Sequence, residues 1–147
     1  MLLIEAYVAT QTLNEGLDAI HDMIERFWKD VASFHQLPSE SWRHLFTTAL
    51  AEVAANGLRH AYPPDATERP LWVRLRLFPD RVEALVIDQG APYEPISFAP
   101  DAPGNETDIA KLPESGYGLF IARSALDSLH YRRTRSGYNC WRLVKKK

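Results

Sequence analysis

Four polar residues spaced four apart, Thr48, Glu52, Asn56 and His60, stand in the stretch TTALAEVAANGLRHAY from Thr47 to Tyr62. In a helix such residues lie nearly above one another, so they form one slowly drifting polar stripe. Phe46, Leu50, Val53 and Ala54 fall on the other side and read as core. A carboxylate and a carboxamide one turn apart, among the small residues Ala51, Ala55 and Gly57, leave room for a ligand against the helix. The chemistry they suit is metal-assisted phosphoryl transfer. Magnesium keeps most of its waters and takes few protein oxygens, so the Asn56 carbonyl oxygen can serve as one. Glu52, one turn earlier, can accept a hydroxyl proton near a γ-phosphate. ATP with a magnesium ion is the expected ligand, although E-x-x-x-N taken alone also describes polar residues on any exposed helix stripe.

Two further segments offer complementary chemistry. In Asp88-Gln89-Gly90, an ionised carboxylate at a strand end can only accept hydrogen bonds. It would therefore favour the N6 amino donor of adenine over the O6 acceptor of guanine. Gly90 would let the backbone bend close to the base; the plainer reading is a strand-ending Asp-x-Gly turn. Ser115-Gly116-Tyr117-Gly118-Leu119-Phe120 stands just before a helical pattern, where free N–H groups and the helix dipole favour phosphate. As a bare motif it is also a hinge. It lacks the full dinucleotide pattern, does not follow a strand, and the lysine-bearing P-loop pattern is absent. The histidines show no zinc spacing, and no nucleophile-elbow pattern supports a Ser/His/Asp site.

The elements that must position these residues follow from periodicity. Leu2 to Thr10 is short, apolar and β-leaning. Thr12-Leu13-Asn14-Glu15 reads as a capping box, and Leu13, Leu17, Ile20, Ile24, Phe27 and Val31 then recur at helical spacing. Ser39 or Ser41 can cap the next helix, which runs to about Tyr62, where Pro63-Pro64 forbids continuation. Leu71, Val73, Leu75 and Leu77 alternate with Trp72, Arg74, Arg76 and Phe78, giving a strand with one apolar face. Phe78-Pro79-Asp80-Arg81 turns it into a partner strand from Val82 to Ile87, closed by Asp88. Residues 91–114 hold five of the ten prolines, and a structureless stretch of that length is usually functional or disordered. A helix from Gly116 to Ser128 and two strands, Leu129 to Thr134 and Tyr138 to Val144, turned at Ser136-Gly137, complete the chain. The order β, α, α, β, β, lid, α, β, β predicts an α+β, two-layer sandwich with helices on one face of a mixed, largely antiparallel sheet.

Composition bounds the answer without choosing it. A chain of 147 residues with 46% hydrophobic and 24% charged content fits a single domain, residues 1–147. A net charge of −2 leaves no electrostatic footprint for nucleic acid or an anionic membrane. The one cysteine, Cys140, forms no internal disulfide and suits a reducing cytoplasm. No signal peptide precedes the first structured segment and no apolar run reaches the length of a membrane span, so a cytoplasmic protein is expected.

The order and spacing of the segments carry more than each does singly. ALAEVAANGLRHAY, then a hairpin ending VIDQGAPYEP, then a proline-rich lid, then ESGYGLFIARSALDSLHY, closely resembles the GHKL ATPase superfamily, and within it the small anti-sigma-factor serine kinases. The resemblance covers nearly the whole chain and implies the two-layer ATP-binding (Bergerat) fold. It implies that Glu52 is the catalytic base, Asn56 the magnesium ligand and Asp88 the adenine-binding aspartate. Gly90 and Pro92 complete the first glycine box. Gly116 and Gly118, with Ser115, Tyr117 and Leu119 around them, form the second, which cradles the phosphates. Asn139 and Cys140 lie at the adenine end, and Arg59, Lys111 or Arg123 would have to supply cations to the phosphates. The resemblance further implies binding of a sigma factor and phosphorylation of a serine or threonine on a STAS-domain anti-anti-sigma protein, which switches partners. Homodimers are common in the group. The alternative is a non-catalytic module of the same fold in which ATP orders the lid and controls a partner surface.

Overall fold

A computed structural model describes residues 2–10, 12–93 and 114–147. The elements are β1 (Leu2–Thr10), α1 (Leu13–Phe34), α2 (Glu40–Asn56), a π-helical turn (Gly57–Ala61), β2 (Arg69–Leu77), β3 (Arg81–Asp88), α3 (Glu114–Ala125), β4 (Ser128–Arg133) and β5 (Asn139–Lys146). Most of the expected lid lies outside the described residues, and Lys111 with it.

Local chemistry accounts for the helix starts. The Thr12 hydroxyl accepts from the Glu15 N–H at 3.2 Å, as the capping box requires. At α2 it is Ser39 that caps, its hydroxyl accepting from the Trp42 N–H at 3.3 Å. The α1 stripe Ile20, Ile24, Phe27 and Val31 is buried, while Leu13 and Leu17 pack against the core from its edge.

The five strands form one sheet in the order β1-β2-β3-β5-β4. All four pairings are antiparallel, in keeping with the largely antiparallel sheet expected, and none of the described strands has a parallel neighbour. Strand parity decides which side chains meet the helices. Leu71, Val73, Leu75 and Leu77 of β2, Val82, Ala84 and Val86 of β3, and Trp141 and Leu143 of β5 are buried in one cluster with residues of all three helices. The other side chains of β2, Trp72, Arg74 and Arg76, remain part-exposed on the far face. Continuing the β3 alternation by two residues brings Asp88 to the helix-facing side, opposite Leu71 on one neighbour and Asn139 on the other.

α2 packs against both that sheet face and α3. Phe46, Leu50, Val53 and Ala54 are fully buried, each of the larger three contributing about 1.5–3 kcal/mol of apolar burial. Trp28 of α1 locks the two N-terminal helices together, donating its indole N–H to the Thr47 hydroxyl at 2.9 Å. The expected single helix to Tyr62 changes character at Gly57. The π-helical turn widens the coil there, so His60 no longer keeps the four-residue alignment with Glu52 and Asn56. α3 starts two residues before Gly116 and ends at Ala125, where the Lys145 ammonium donates to the Ala125 carbonyl at 2.8 Å.

The ranking of these contributions is testable by denaturant unfolding. Leu50→Ala should lower stability by about 2–5 kcal/mol, because it empties a fully buried site on the helix that backs the functional residues. Ser39→Ala, which removes only a cap, should cost about 1 kcal/mol. Equal costs would contradict the central place given to α2.

Candidate active site

The site is built around a buried carboxylate. Asp88 is 1% exposed, and burying an ion without compensation is costly. Compensation comes from both sides of β3. The Asn139 amide donates to Asp88 Oδ1 at 2.7 Å and the Gly90 N–H donates to the same oxygen at 2.9 Å. Burial nonetheless pushes the Asp88 carboxyl above its ordinary value, against these two bonds and the nearby positive charge of Arg133, which favour the ionised form.

The second oxygen of Asp88 faces the helix. A Cβ built on Gly57 would lie 3.2 Å from Oδ2, so the small residue following Asn56 is what allows the carboxylate to approach the helix end. The turn after Asp88 approaches equally closely. The Ala91 N–H donates to the Ala61 carbonyl at 2.7 Å, and a Cβ on Gly90 would collide with the Ala61 backbone. Only glycine fits there. Tyr62 ties the same corner, accepting from the Gln89 N–H at 2.9 Å and donating to the Pro70 carbonyl at 2.5 Å.

One and a half turns before Gly57, the same helix meets Gly118 of α3. A Cβ on Gly118 would stand 2.5 Å from Glu52 Oε2, so Gly118 forms the wall against which the Glu52 carboxylate rests. Gly118 is the fifth residue of α3, so the glycine pair lies within the first turns and not immediately before them. Glu52 and Asn56 are both half-buried, and neither side chain hydrogen-bonds to another described residue. Five residue steps of helix lead from Glu52 to Gly57, about 7.5 Å at 1.5 Å per step. A nucleoside triphosphate is long enough to reach from one end to the other. A neutral amide oxygen at Asn56, completed by phosphate and water oxygens, suits magnesium, which needs few protein ligands. No group of three or more His, Cys, Asp or Glu side chains among the described residues could hold a metal by itself.

The structure thus brings Glu52, Asn56, Asp88, Gly90 and Gly118 onto or against one helical segment. Other expected residues have different surroundings. Leu119 is buried in the core, so its side chain serves packing and only its backbone can face a ligand. Asn139 spends its amide hydrogens on Asp88 and on the Ala91 carbonyl, each at 2.7 Å, which makes it a support for Asp88. Arg59 and Pro92 are exposed, Tyr117 is half-buried, and Arg123 is exposed on α3. Ser115 and Gly116 belong to the first turn of α3. Cys140, one residue beyond Asn139, is opposite Ile87 on the far side of the sheet from Asp88.

A model of the histidine kinase-like ATPase domain matches residues 17–145. The chain belongs to the histidine kinase-like ATPase family. Among curated proteins it is similar to the serine-protein kinase RsbW of Bacillus licheniformis, with 31% identity over 86 residues, 56% of this chain and 52% of that one. The serine-protein kinase RsbW of Bacillus subtilis is 28% identical over 85 residues, 55% of this chain and 51% of that one. The chain therefore spans about half the length of the curated relatives it matches. Among solved structures, a mycobacterial sensor histidine kinase, MprB, superposes with a TM-score of 0.51 and 18% identity over 97% of each chain, a likeness of fold. No helix among the described residues is long and apolar enough to cross a membrane.

In this histidine kinase-like ATPase domain, residue-type reasoning overlooked Tyr131 and Arg133. Tyr131 donates to Asn139 Oδ1 at 2.5 Å, and Arg133 donates to the same oxygen at 3.0 Å and to the Gly90 carbonyl at 2.9 Å. Folding the sequence back at Ser136-Gly137 would have found them, since that hairpin sets Arg133 against Asn139 and Tyr131 against Trp141.

The burial of Asp88 makes a pH prediction. Its folded value lies above the unfolded one, so between the two the folded chain holds more protons and stability falls as pH rises through that window. At neutral pH Asp88 is a standing cost to the fold. Asp88→Asn, which keeps an acceptor for Asn139 and Gly90, should melt at least as high as the parent at pH 7 without nucleotide. It should also lose less stability between about pH 4 and pH 7. Thermal melts across pH check this; a variant that is less stable at pH 7 with an unchanged pH profile would contradict the assignment.

Proposed function

We propose that this chain is an ATP- and magnesium-dependent serine/threonine protein kinase that acts as an anti-sigma regulatory factor. Its substrate is a hydroxyl on a STAS-domain anti-anti-sigma partner, and phosphorylation of that partner switches which protein the kinase holds. One observation carries the reading. A single helical segment holds Glu52, a carboxylate with no hydrogen-bond partner among the described residues, against Gly118 of α3 and, about 7.5 Å along, borders the buried carboxylate Asp88 at Gly57. An acceptor suited to a base and an acceptor suited to a proton are thereby set at two points along one helix, within the span of a single nucleoside triphosphate. The similarity to proteins named serine-protein kinase RsbW supports the choice of a serine or threonine hydroxyl as acceptor.

In this mechanism Asp88 Oδ2 accepts from the adenine amino group, while Gly90 allows the backbone to lie close to the base. Asn56 would hold the magnesium ion, which when bound neutralises phosphate charge and orients the β- and γ-phosphates. The N–H groups at the start of α3, among Ser115, Gly116, Tyr117 and Gly118, face the phosphates. Glu52 takes the proton of the acceptor hydroxyl as its oxygen bonds to the γ-phosphorus and the bond to the ADP oxygen breaks. Arg59, Lys111 or Arg123 supplies a cation to the phosphates, and the chain works in the cytoplasm.

Incubation with labelled ATP, magnesium and candidate STAS-domain proteins tests the proposal. The parent should label a serine or threonine. Glu52→Ala should lower that rate by about 10²–10⁴-fold while keeping the ATP-dependent rise in melting temperature. Full activity of the variant would refute the base assignment. Nucleotide-dependent stabilisation of the parent, without phosphotransfer to any partner, would replace the kinase reading with the binding module.

A further inference from the structure

The β4–β5 hairpin sends two side chains to the helix-facing side beside Asp88, and both end on one atom. Tyr131 Oη donates to Asn139 Oδ1 at 2.5 Å and Arg133 to the same oxygen at 3.0 Å. A carboxamide is nearly symmetric in shape but not in chemistry: one end only accepts and the other only donates. Two donors converging on one end leave a single orientation in which every group is satisfied. That orientation turns the Asn139 NH2 toward Asp88 Oδ1 and the Ala91 carbonyl, both at 2.7 Å. Asp88 Oδ1 is then occupied by Asn139 and by the Gly90 N–H, and Oδ2, beside Gly57, is the acceptor left for a ligand.

We propose that Tyr131 and Arg133 are positioning residues that set the base selectivity of the nucleotide site, by fixing the Asn139 amide so that Asp88 presents a bare acceptor. This rests on the nucleotide reading above and adds residues that do not touch the nucleotide. If the amide turned over, its oxygen would face the Asp88 carboxylate and the Ala91 carbonyl. Three acceptors would then meet with no donor between them. The carboxylate could relieve this by rotating or by taking up a proton, and either change removes the fixed acceptor that distinguishes an amino group at the purine 6-position from a keto group. Arg133 adds a second restraint, holding the Gly90 carbonyl at 2.9 Å and so the turn that follows Asp88. Its charge also favours the ionised form of Asp88.

The test compares ADP with IDP, which carries a keto oxygen at the 6-position, by calorimetric titration in the presence of magnesium. The proteins are the parent, Tyr131→Phe, Arg133→Met and Arg133→Lys. Tyr131→Phe keeps the ring beside Tyr93 and Trp141, at centroid distances of 5.4 Å and 4.8 Å, and removes only the hydroxyl. The parent should bind ADP more tightly than IDP. Tyr131→Phe and Arg133→Met should each reduce that ratio by about tenfold, and Arg133→Lys should restore most of it. A ratio equal to the parent's in Tyr131→Phe and Arg133→Met would overturn the inference, whether or not their melting temperatures or overall affinities fall. Failure of the parent to bind either nucleotide would overturn the nucleotide reading itself, a result distinct from loss of selectivity alone.

Discussion

A carboxylate that is 1% exposed must be held by donors, and the arrangement of those donors around Asp88 shapes one end of this protein. β5 brings Asn139 into register with it, the chain reverses so that the Gly90 N–H returns to it, and β4 contributes the two residues that orient Asn139. None of these groups is close to Asp88 in sequence except Gly90. The antiparallel order β3-β5-β4 assembles them, and that is why the sheet topology matters to the chemistry. The cost of burial stays visible in the raised proton affinity of the carboxyl. Sites that recognise ligands commonly retain such a cost, because the uncompensated part of the group is the part a ligand satisfies.

The second constraint is the absence of side chains where elements converge. At Gly57 the gap admits Asp88 Oδ2, at Gly90 it admits the Ala61 backbone, and at Gly118 it admits the Glu52 carboxylate. The end of β3 with its following turn, and the start of α3, can therefore close on α2 and its π-helical extension without pushing it off its core contacts. The extension has its own part in this. The Ala61 carbonyl, at the end of the helical path, accepts from Ala91, which fastens the turn after β3 to the helix.

Much of this was legible before any coordinates, for identifiable reasons. The polar stripe of α2 could be read because 3.6-residue periodicity separates it cleanly from Phe46, Leu50 and Val53. The inward direction of Asp88 follows from two-residue alternation after Val82, Ala84 and Val86. Pairing in the β2–β3 hairpin was signalled by its turn, which closes through the Phe78 N–H and the Arg81 carbonyl at 2.8 Å. Other features depended on information that local pattern does not hold. The π-helical turn has no propensity signature and arises where the helix meets the Gly90 turn. The support role of Asn139, and the participation of Tyr131 and Arg133, depend on register across two strands. A glycine pair reads as a break, yet α3 begins two residues before Gly116 and continues through both glycines.

The account rests on Asp88, Asn56 and Gly118 serving one bound nucleotide. A crystal structure with a non-hydrolysable ATP analogue and magnesium tests that most directly. The account predicts the adenine amino group within hydrogen-bonding distance of Asp88 Oδ2, the metal on the Asn56 side-chain oxygen and the phosphates against the first turns of α3. A nucleotide bound elsewhere, or one whose base turns away from Asp88, would contradict it.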